Sequence, residues 1–399
     1  MIKGKSIVLG ITGGIAAYKS CEIVRDILRD GGSCHVIMTK SATKFITPLT
    51  LRTLSGNPVI TELFDFSFES HIAHISLADL ADLFIIAPAT ANFIGKVASG
   101  IADDILTTTV AATKAPIMVC PSMNSKMYEN PIFQRNLNML ASLSNFHILD
   151  PAVGELACGV YGKGRLPEPE EIVEEARCIL EKRDLVGEKV LVTAGPTEEA
   201  LDPVRFITNR SSGKMGFALA RVAMRRGAKT TLISGPVNLQ PPRGVNYIEA
   251  RTALEMKEKV LENFKGITIL IKAAAVADFR PEKKALEKMK KKEKLTINLV
   301  RNPDILSEIG KRKGKAIVVG FAAETEDLLI NAKKKLEEKK LDLIVANDVT
   351  QKGAGFYADT NIVKLIDATG NISDLPLMSK EEVAEHIFDK VLWLKRSGQ

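Results

Sequence analysis

The stretch Gly187–Gly216, GEKVLVTAGPTEEALDPVRFITNRSSGKMG, decides the fold, because here the chain opens for a second time. An apolar run from Val190 to Val192 meets a Gly-Pro turn and a polar loop, and Gly213 then opens a helical pattern carrying Met215, Phe217 and Leu219. The beginning of the chain reads the same way: SIVLGI is a strand, Gly13-Gly14 a turn, and Ile15 to Leu28 an amphipathic helix. Two such openings predict two nucleotide-type domains in tandem.

Outward from these openings, short apolar runs alternate with helical patterns. In the first half they lie at Ser6–Ile11, His35–Thr39, Leu83–Ala87, Ile117–Cys120 and Phe146–Leu149; in the second, at Thr230–Ile233, Thr268–Ala273, Ala316–Val319 and Leu343–Ala346. Continuous apolar strands separated by helices are the signature of a parallel sheet covered on both faces. The expected fold is therefore α/β, two tandem doubly wound Rossmann-like domains. The segment 166–186, LPEPEEIVEEARCILEKRDLV, reads as the closing helix of the first, so the boundary falls near Gly187, giving domains 1–187 and 188–399.

A chain of 399 residues is long for one core, and 45% hydrophobic with 26% charged residues suits a globular protein. No apolar run approaches the roughly 18 to 20 residues of a membrane helix, and MIKGKSIVLGITGG lacks a signal-peptide cleavage pattern. The reading is a cytoplasmic enzyme without a membrane partner. The five cysteines are odd in number and form no CxxC pair, which argues against a disulfide framework or structural zinc.

Ligands of doubly wound sheets sit at the carboxyl ends of strands. After the first strand, Gly10-Ile-Thr-Gly13-Gly14-Ile15 lacks GxGxxG spacing; it is either an anion-binding helix start or a simple tight turn. After the third and fourth come Ala87-Pro88-Ala89-Thr90-Ala91-Asn92 and Pro121-Ser-Met-Asn124-Ser-Lys-Met127-Tyr128. His74 and His71 have no carboxylate or thiolate spacing for a metal. Cys158, between glycine-containing turns, reads as an exposed thiol. Taken together, HISLADLADL from His74, APATANFIGKVASGIADD, PSMNSKMY and the ACG at Cys158 closely resemble the flavin-dependent cysteine decarboxylases that act on phosphopantothenoylcysteine. That resemblance implies FMN held by Gly13, Gly14, Ile15, Thr39, Pro88, Ala89, Thr90 and Asn92. It makes His74 the base, Asn124 the holder of the substrate carboxylate and Cys158 the proton donor.

In the second half, Ser211-Ser-Gly213-Lys214-Met215-Gly216 refuses the P-loop, since Met215 stands where Ser or Thr would hold magnesium. Seven lysines lie between Lys283 and Lys294, interrupted by Glu287 and Glu293, which disfavours a nucleic-acid partner. They form either a solvated surface loop or a lid that closes on a triphosphate. Lys335 and Lys339, four apart on a helix expected over Thr325–Leu341, pair with glutamates or point into a cleft.

TAGPTEEALDPVRFITNRSSGKMG, AAAVADFRP, EKMKK at Lys288, RNPDI, GFAAET and ANDV, in this order, resemble the CTP-using phosphopantothenate–cysteine ligases. The two resemblances together identify the chain as a member of the bifunctional coenzyme A biosynthesis proteins. This implies 4'-phosphopantothenate, cysteine and CTP as substrates and Mg2+ or Mn2+ as metal. Asn209 then contacts the acyl intermediate and Lys288 on the lid stabilises activation. Ala274, Asp278, Asn302, Pro303, Asp304, Ile305, Phe321, Lys335 and Lys339 contact CTP, with Asp278 at the metal. A homo-oligomer of trimeric decarboxylase and dimeric ligase contacts is implied as well. Two other readings are a flavin-binding regulatory protein, opposed by the intact His74, Asn124 and Cys158, and a nicotinamide dehydrogenase, opposed by the missing GxGxxG.

Overall fold

The structure is a computed structural model that describes residues 2–64, 73–155, 159, 161–290, 295–324, 328–348, 355 and 357–397. The chain divides into two compact units, Met1–Glu181 and Lys182–Gln399.

In the first unit, β1 (Ser6–Ile11), β2 (Ser33–Met38), β3 (Val59–Ile60), β4 (Leu83–Ala89), β5 (Ile117–Pro121) and β6 (Phe146–Ile148) form one parallel sheet in the order β3-β2-β1-β4-β5-β6. Successive side chains point to opposite faces. Ile7, Leu9 and Ile11 pack with Ile23, Ile27 and Ile172, while Val8 packs with Phe84, Ile86 and Leu106. Burial on both sides is why these strands read as unbroken apolar runs. The helix expected from Ile15 begins instead as a 3-10 turn, Ile15–Lys19, and becomes α-helical over Ser20–Arg29. Tight turns of this kind commonly open helices. An antiparallel hairpin, β7 (Ala152–Glu155) and β8 (Tyr161–Arg165), precedes the helix Pro169–Leu180.

The second unit repeats the plan and extends it. Its strands are β9 (Lys189–Ala194), β10 (Glu198–Ala200), β11 (Phe206–Thr208), β12 (Lys229–Ser234), β13 (Asn246–Glu249), β14 (Ile269–Lys272), β15 (Phe279–Pro281), β16 (Leu299–Arg301), β17 (Ile317–Glu324), β18 (Leu343–Asp348), β19 (Thr360–Asp367) and β20 (Ile372–Ser379). The main sheet runs β13-β12-β9-β14-β17-β18-β19-β20, parallel through β18 and antiparallel beyond it. Its first six strands have the 3-2-1-4-5-6 order of the first unit. Two small hairpins, β10–β11 and β15–β16, follow β9 and β14.

Close packing fixes the helix Lys214–Arg225 on β9: a Cβ added at Gly216 would lie 2.5 Å from the Ala194 Cβ. Gly213 has φ 75°, the left-handed conformation that glycine adopts without strain. The same helix is clamped to the C-terminal helix Lys380–Arg396 by buried arginines. Arg225 meets Glu381 at 2.8 Å, and Arg226 meets Asp184, Glu385 and Asp389 at 2.7, 3.2 and 2.8 Å.

Candidate active sites

In each sheet the strand order reverses between the first and fourth members, β1 and β4 in one, β9 and β14 in the other. Such a reversal leaves a crevice beyond the strand ends where ligands bind.

In the first unit two buried hydroxyls build this crevice. The Thr12 Oγ1 donates to the Pro88 carbonyl at 2.7 Å and accepts from the Thr90 amide at 3.0 Å, tying the loop after β1 to the end of β4 and the helix cap that follows it. The Ser20 hydroxyl donates to the Ala87 carbonyl at 2.9 Å. Thr90 then caps the helix Ala91–Ala98. Gly13 lies so near Ser41 that an added Cβ would come within 2.3 Å of the Ser41 Cβ, whereas one on Gly14 would meet only the Thr90 side chain, at 3.8 Å. Ile15, beside them, is 61% exposed at the sheet's carboxyl edge. Gly13, Gly14 and Ile15 follow β1 and meet Pro88, Ala89, Thr90 and Asn92, which span the end of β4 and the start of the next helix; Thr39 follows β2 alongside, its amide bonded to the Ile11 carbonyl at 3.0 Å.

His74 sits half-buried in the first turn of the helix Ala73–Leu80; His71 lies outside the described residues. Asn124 caps the short helix Ser125–Tyr128, its Oδ1 accepting from the Lys126 amide at 2.9 Å. The loop that carries it is stitched to its neighbours: the Ser122 amide donates to the Ala89 carbonyl at 3.0 Å, and the Met123 amide to the Gly164 carbonyl at 2.9 Å. Cys158 lies outside the described residues, on the connection between β7 and β8. Tyr128 is buried; its hydroxyl donates to Asp150 at 3.2 Å, and the Lys163 ammonium of β8 sits 5.2 Å from its ring centre.

In the second unit the crevice is a cavity of about 630 Å³. Among the described residues seven of its lining side chains are Lys or Arg and two, Asp278 and Asp304, are carboxylates. The loop Ala273–Asp278 forms one wall and is held at every turn. The Ala274 amide donates to the Thr193 hydroxyl at 3.2 Å and the Ala277 amide to the Thr197 hydroxyl at 3.0 Å. From the side, the Asn209 amide donates to the Val276 carbonyl at 3.0 Å, and the Asn302 amide to the Ala277 carbonyl at 2.9 Å. Opposite stand Phe321, Lys335 and Lys339. Lys335 donates to the Phe321 carbonyl at 2.8 Å and Lys339 pairs with Asp304 at 2.8 Å, so both point into the cleft. Burial raises the Asp304 carboxyl, but Lys339 and the Ser307 amide outweigh it and hold the carboxyl below its usual range.

Asn209, Ala274, Asp278, Asn302, Pro303, Asp304, Ile305, Phe321, Lys335 and Lys339 all line this cavity. Lys288 does not; it is exposed on the segment 282–290. That segment is tethered by its backbone: the Met289 amide donates to the buried Asp202 carboxylate at 3.1 Å, and the Ala285 amide to the Leu201 carbonyl at 2.9 Å. Residues 291–294, the rest of the lysine cluster, lie outside the described residues. Among the described residues no group of three or more His, Cys, Asp or Glu side chains converges on a metal position.

Both halves match known families. Residues 1–180 match the family described as flavoprotein, and 185–394 the DNA/pantothenate metabolism flavoprotein C-terminal domain. The coenzyme A biosynthesis bifunctional protein CoaBC of Bacillus subtilis is 48% identical over 100% of both chains, and that of Vibrio cholerae 47% identical over 97% of both. The chain belongs to the bifunctional coenzyme A biosynthesis proteins. It is an enzyme with a flavoprotein decarboxylase domain followed by a ligase domain. The crystal structure of the C-terminal domain of a CoaBC protein aligns with 53% of this chain and 98% of its own, at 41% identity and TM-score 0.47.

Sequence reasoning missed Thr12 and Ser20, whose polarity at strand and helix ends was the available signal, and Thr193 and Thr197, which frame the second cavity. It also missed Lys272, a charged residue closing the apolar run LIK. None of the described helices is long and apolar enough to cross a membrane.

Proposed function

We propose that the second unit joins 4'-phosphopantothenate to cysteine with CTP, and that the first decarboxylates the product, 4'-phosphopantothenoylcysteine, to 4'-phosphopantetheine with FMN. The observation that carries the ligase half is the cavity at the β9/β14 reversal, lined among the described residues by seven basic and two acidic side chains. A cleft so biased toward positive charge selects a polyanion.

In the ligase step the pantothenate carboxylate attacks the α-phosphorus of CTP, the bond to the β-phosphate breaks, and pyrophosphate leaves with the electron pair. The cysteine amine then displaces CMP from the acyl-cytidylate. Lys335 and Lys339 supply fixed positive charge where phosphate charge develops. Asn209, whose side-chain NH2 is held by the Ala275 and Val276 carbonyls, contacts the acyl intermediate. Lys288 reaches the site by movement of the segment 282–290. Asp278 fits Mg2+, which takes one or two carboxylates and fills its shell with phosphate oxygens and water; Mn2+ serves equally by this donor set.

In the decarboxylase step the residues present fit FMN: two loops stitched by Thr12, a helix start at Thr90, and an exposed apolar Ile15 for a flat ring. FMN supplies the two-electron oxidation, and the return reduction, that let an unactivated carboxylate depart as carbon dioxide. His74 takes the substrate proton, Asn124 orients the carboxylate, and Cys158 returns a proton to the product. Large exposed apolar side chains such as Leu49, Phe64 and Ile132 suit a homo-oligomer built from trimeric contacts here and dimeric contacts in the ligase unit.

The test is pyrophosphate release by the full chain. Release that requires CTP and phosphopantothenate together, with carbon dioxide only after cysteine is added, is the expected result. Release with ATP alone, or none with any nucleotide, overturns the reading.

A further inference from the structure

Lys272 closes β14 at the reversal point. Alternation along the strand puts it on the face of Leu270, which packs against Ile305, Leu306, Ala332 and Leu336 of the two helices behind the cavity. Its side chain lines the cavity together with Lys335 and Lys339. The three ammonium groups differ in how they are held. Lys335 is bonded to the Phe321 carbonyl and Lys339 is paired with Asp304, whereas Lys272 has neither a hydrogen bond nor an ion pair among the described residues.

Among the described residues neither carboxylate near it is its own partner. Asp304 is shared with Lys339 and caps its own helix through the Ser307 amide, and Asp278 is exposed at the mouth. Among the described residues the other charged groups on the wall, Arg210, Lys214, Arg301 and Lys380, are cations. Burial first, then repulsion from Lys335 and Lys339, pushes the Lys272 amine down to about 8. An amine placed among like charges at a ligand cavity is a group whose partner arrives with the ligand.

We propose that Lys272 is a third triphosphate-contacting cation of the ligase site, neutralising the phosphates that depart as pyrophosphate. This rests on the CTP-using ligase reading. In the activation step the bond from the α-phosphorus to its bridging oxygen breaks, and the electron pair goes to the leaving group. Lys272, Lys335 and Lys339 together offset that charge. A linkage follows. In the free enzyme near pH 8 Lys272 is partly neutral; a bound polyanion restores its full charge, so CTP binding takes up about half a proton there. CTP affinity accordingly falls as pH rises through 8.

The experiment is calorimetric titration of the full chain with magnesium and CTP, phosphopantothenate being withheld so that no bond breaks, at pH 8 in two buffers of different ionisation enthalpy. For the unaltered protein we expect net proton uptake and weakening affinity between pH 7 and 9, a result that needs no substitution. Lys272→Met is expected to lose about tenfold in affinity and to abolish the uptake. Lys272→Arg, charged at every pH used, is expected to keep most of the affinity without the uptake. A Lys272→Met protein that binds CTP as tightly as the parent with unchanged uptake overturns the assignment of Lys272. Failure of the unaltered protein to bind CTP at all overturns the nucleotide reading beneath it.

Discussion

The Thr12 hydroxyl and the Pro88 carbonyl, 76 positions apart in the chain, are joined by a hydrogen bond of 2.7 Å, and the same oxygen receives the Thr90 amide. One buried side chain thereby sets the spacing of both loops assigned to the flavin. Thr12→Val keeps the shape and removes both side-chain bonds; the Pro88 carbonyl keeps the Thr12 backbone amide at 3.3 Å, but the Thr90 amide loses its acceptor, at a cost of about 1 to 3 kcal/mol. We expect FMN affinity, read by flavin fluorescence, to drop about tenfold or more, with pyrophosphate release by the ligase unchanged. Unaltered flavin affinity would remove Thr12 from this role.

Asp202 anchors the lysine segment. Burial raises its carboxyl, but donation from the Val204, Met289 and Arg205 amides prevails and holds it below the usual carboxylate range. Asp202→Ala releases the Met289 tether and is expected to slow cytidylylation about tenfold without touching decarboxylation of supplied phosphopantothenoylcysteine. Lys288→Gln should do the same if Lys288 is the working lysine. Ligase turnover unchanged in Lys288→Gln, but reduced in Asp202→Ala, would shift the role to another lysine of the same segment.

For the decarboxylase, Cys158→Ser is expected to evolve carbon dioxide at near the parent rate in a single turnover while product stalls at the oxidised enethiol stage. Mass spectrometry of the bound product, two hydrogens lighter than 4'-phosphopantetheine, is the check. Normal formation of 4'-phosphopantetheine by the variant would dismiss Cys158 as the proton donor.

Glu381 carries an acid-stability signature. Burial raises its carboxyl, yet Arg225 and Arg221 bring it down to about 2 from the ordinary value of 4.5. The folded value lies below the unfolded one, so the stabilisation is fully present above about pH 4.5 and drains away as pH falls toward 2. The size is about 3 kcal/mol. Glu381→Gln, which leaves the buried Arg225 without its carboxylate, should lower unfolding free energy by about that amount at pH 7. It should also flatten the stability loss between pH 4.5 and 2 in urea titrations; a variant with the parent's pH slope would show that other carboxylates set it.

Much of this architecture could be read because β1, β4, β9 and β14 are buried on both faces and so appear as apolar runs, each followed by small or polar loop residues. The last strand gave no such signal. All of Ile372–Ser379 is exposed or half-buried, and its residues SDLP carry little β character. The cavity-lining lysines Lys335 and Lys339 were legible from their spacing, since a four-residue step places both on one helical face. Lys272 escaped because one charge inside LIKAAA looks like noise in an apolar strand. Asp202 escaped because its partners are backbone amides, which no side-chain pattern announces. Lys288 could be picked as a residue but not placed, since its segment is fixed by backbone bonds to a turn some 85 positions earlier.

The two mid-sheet pairings also govern the order in which activity is acquired. β1 pairs with β4, and β9 with β14, with Ile7 opposite Leu83 and Val190 opposite Ile269. Closing chain segments of that length is slow compared with forming hairpins or helices. Each reaction centre therefore lacks its crevice until the fourth parallel strand of its own unit has zipped against the first.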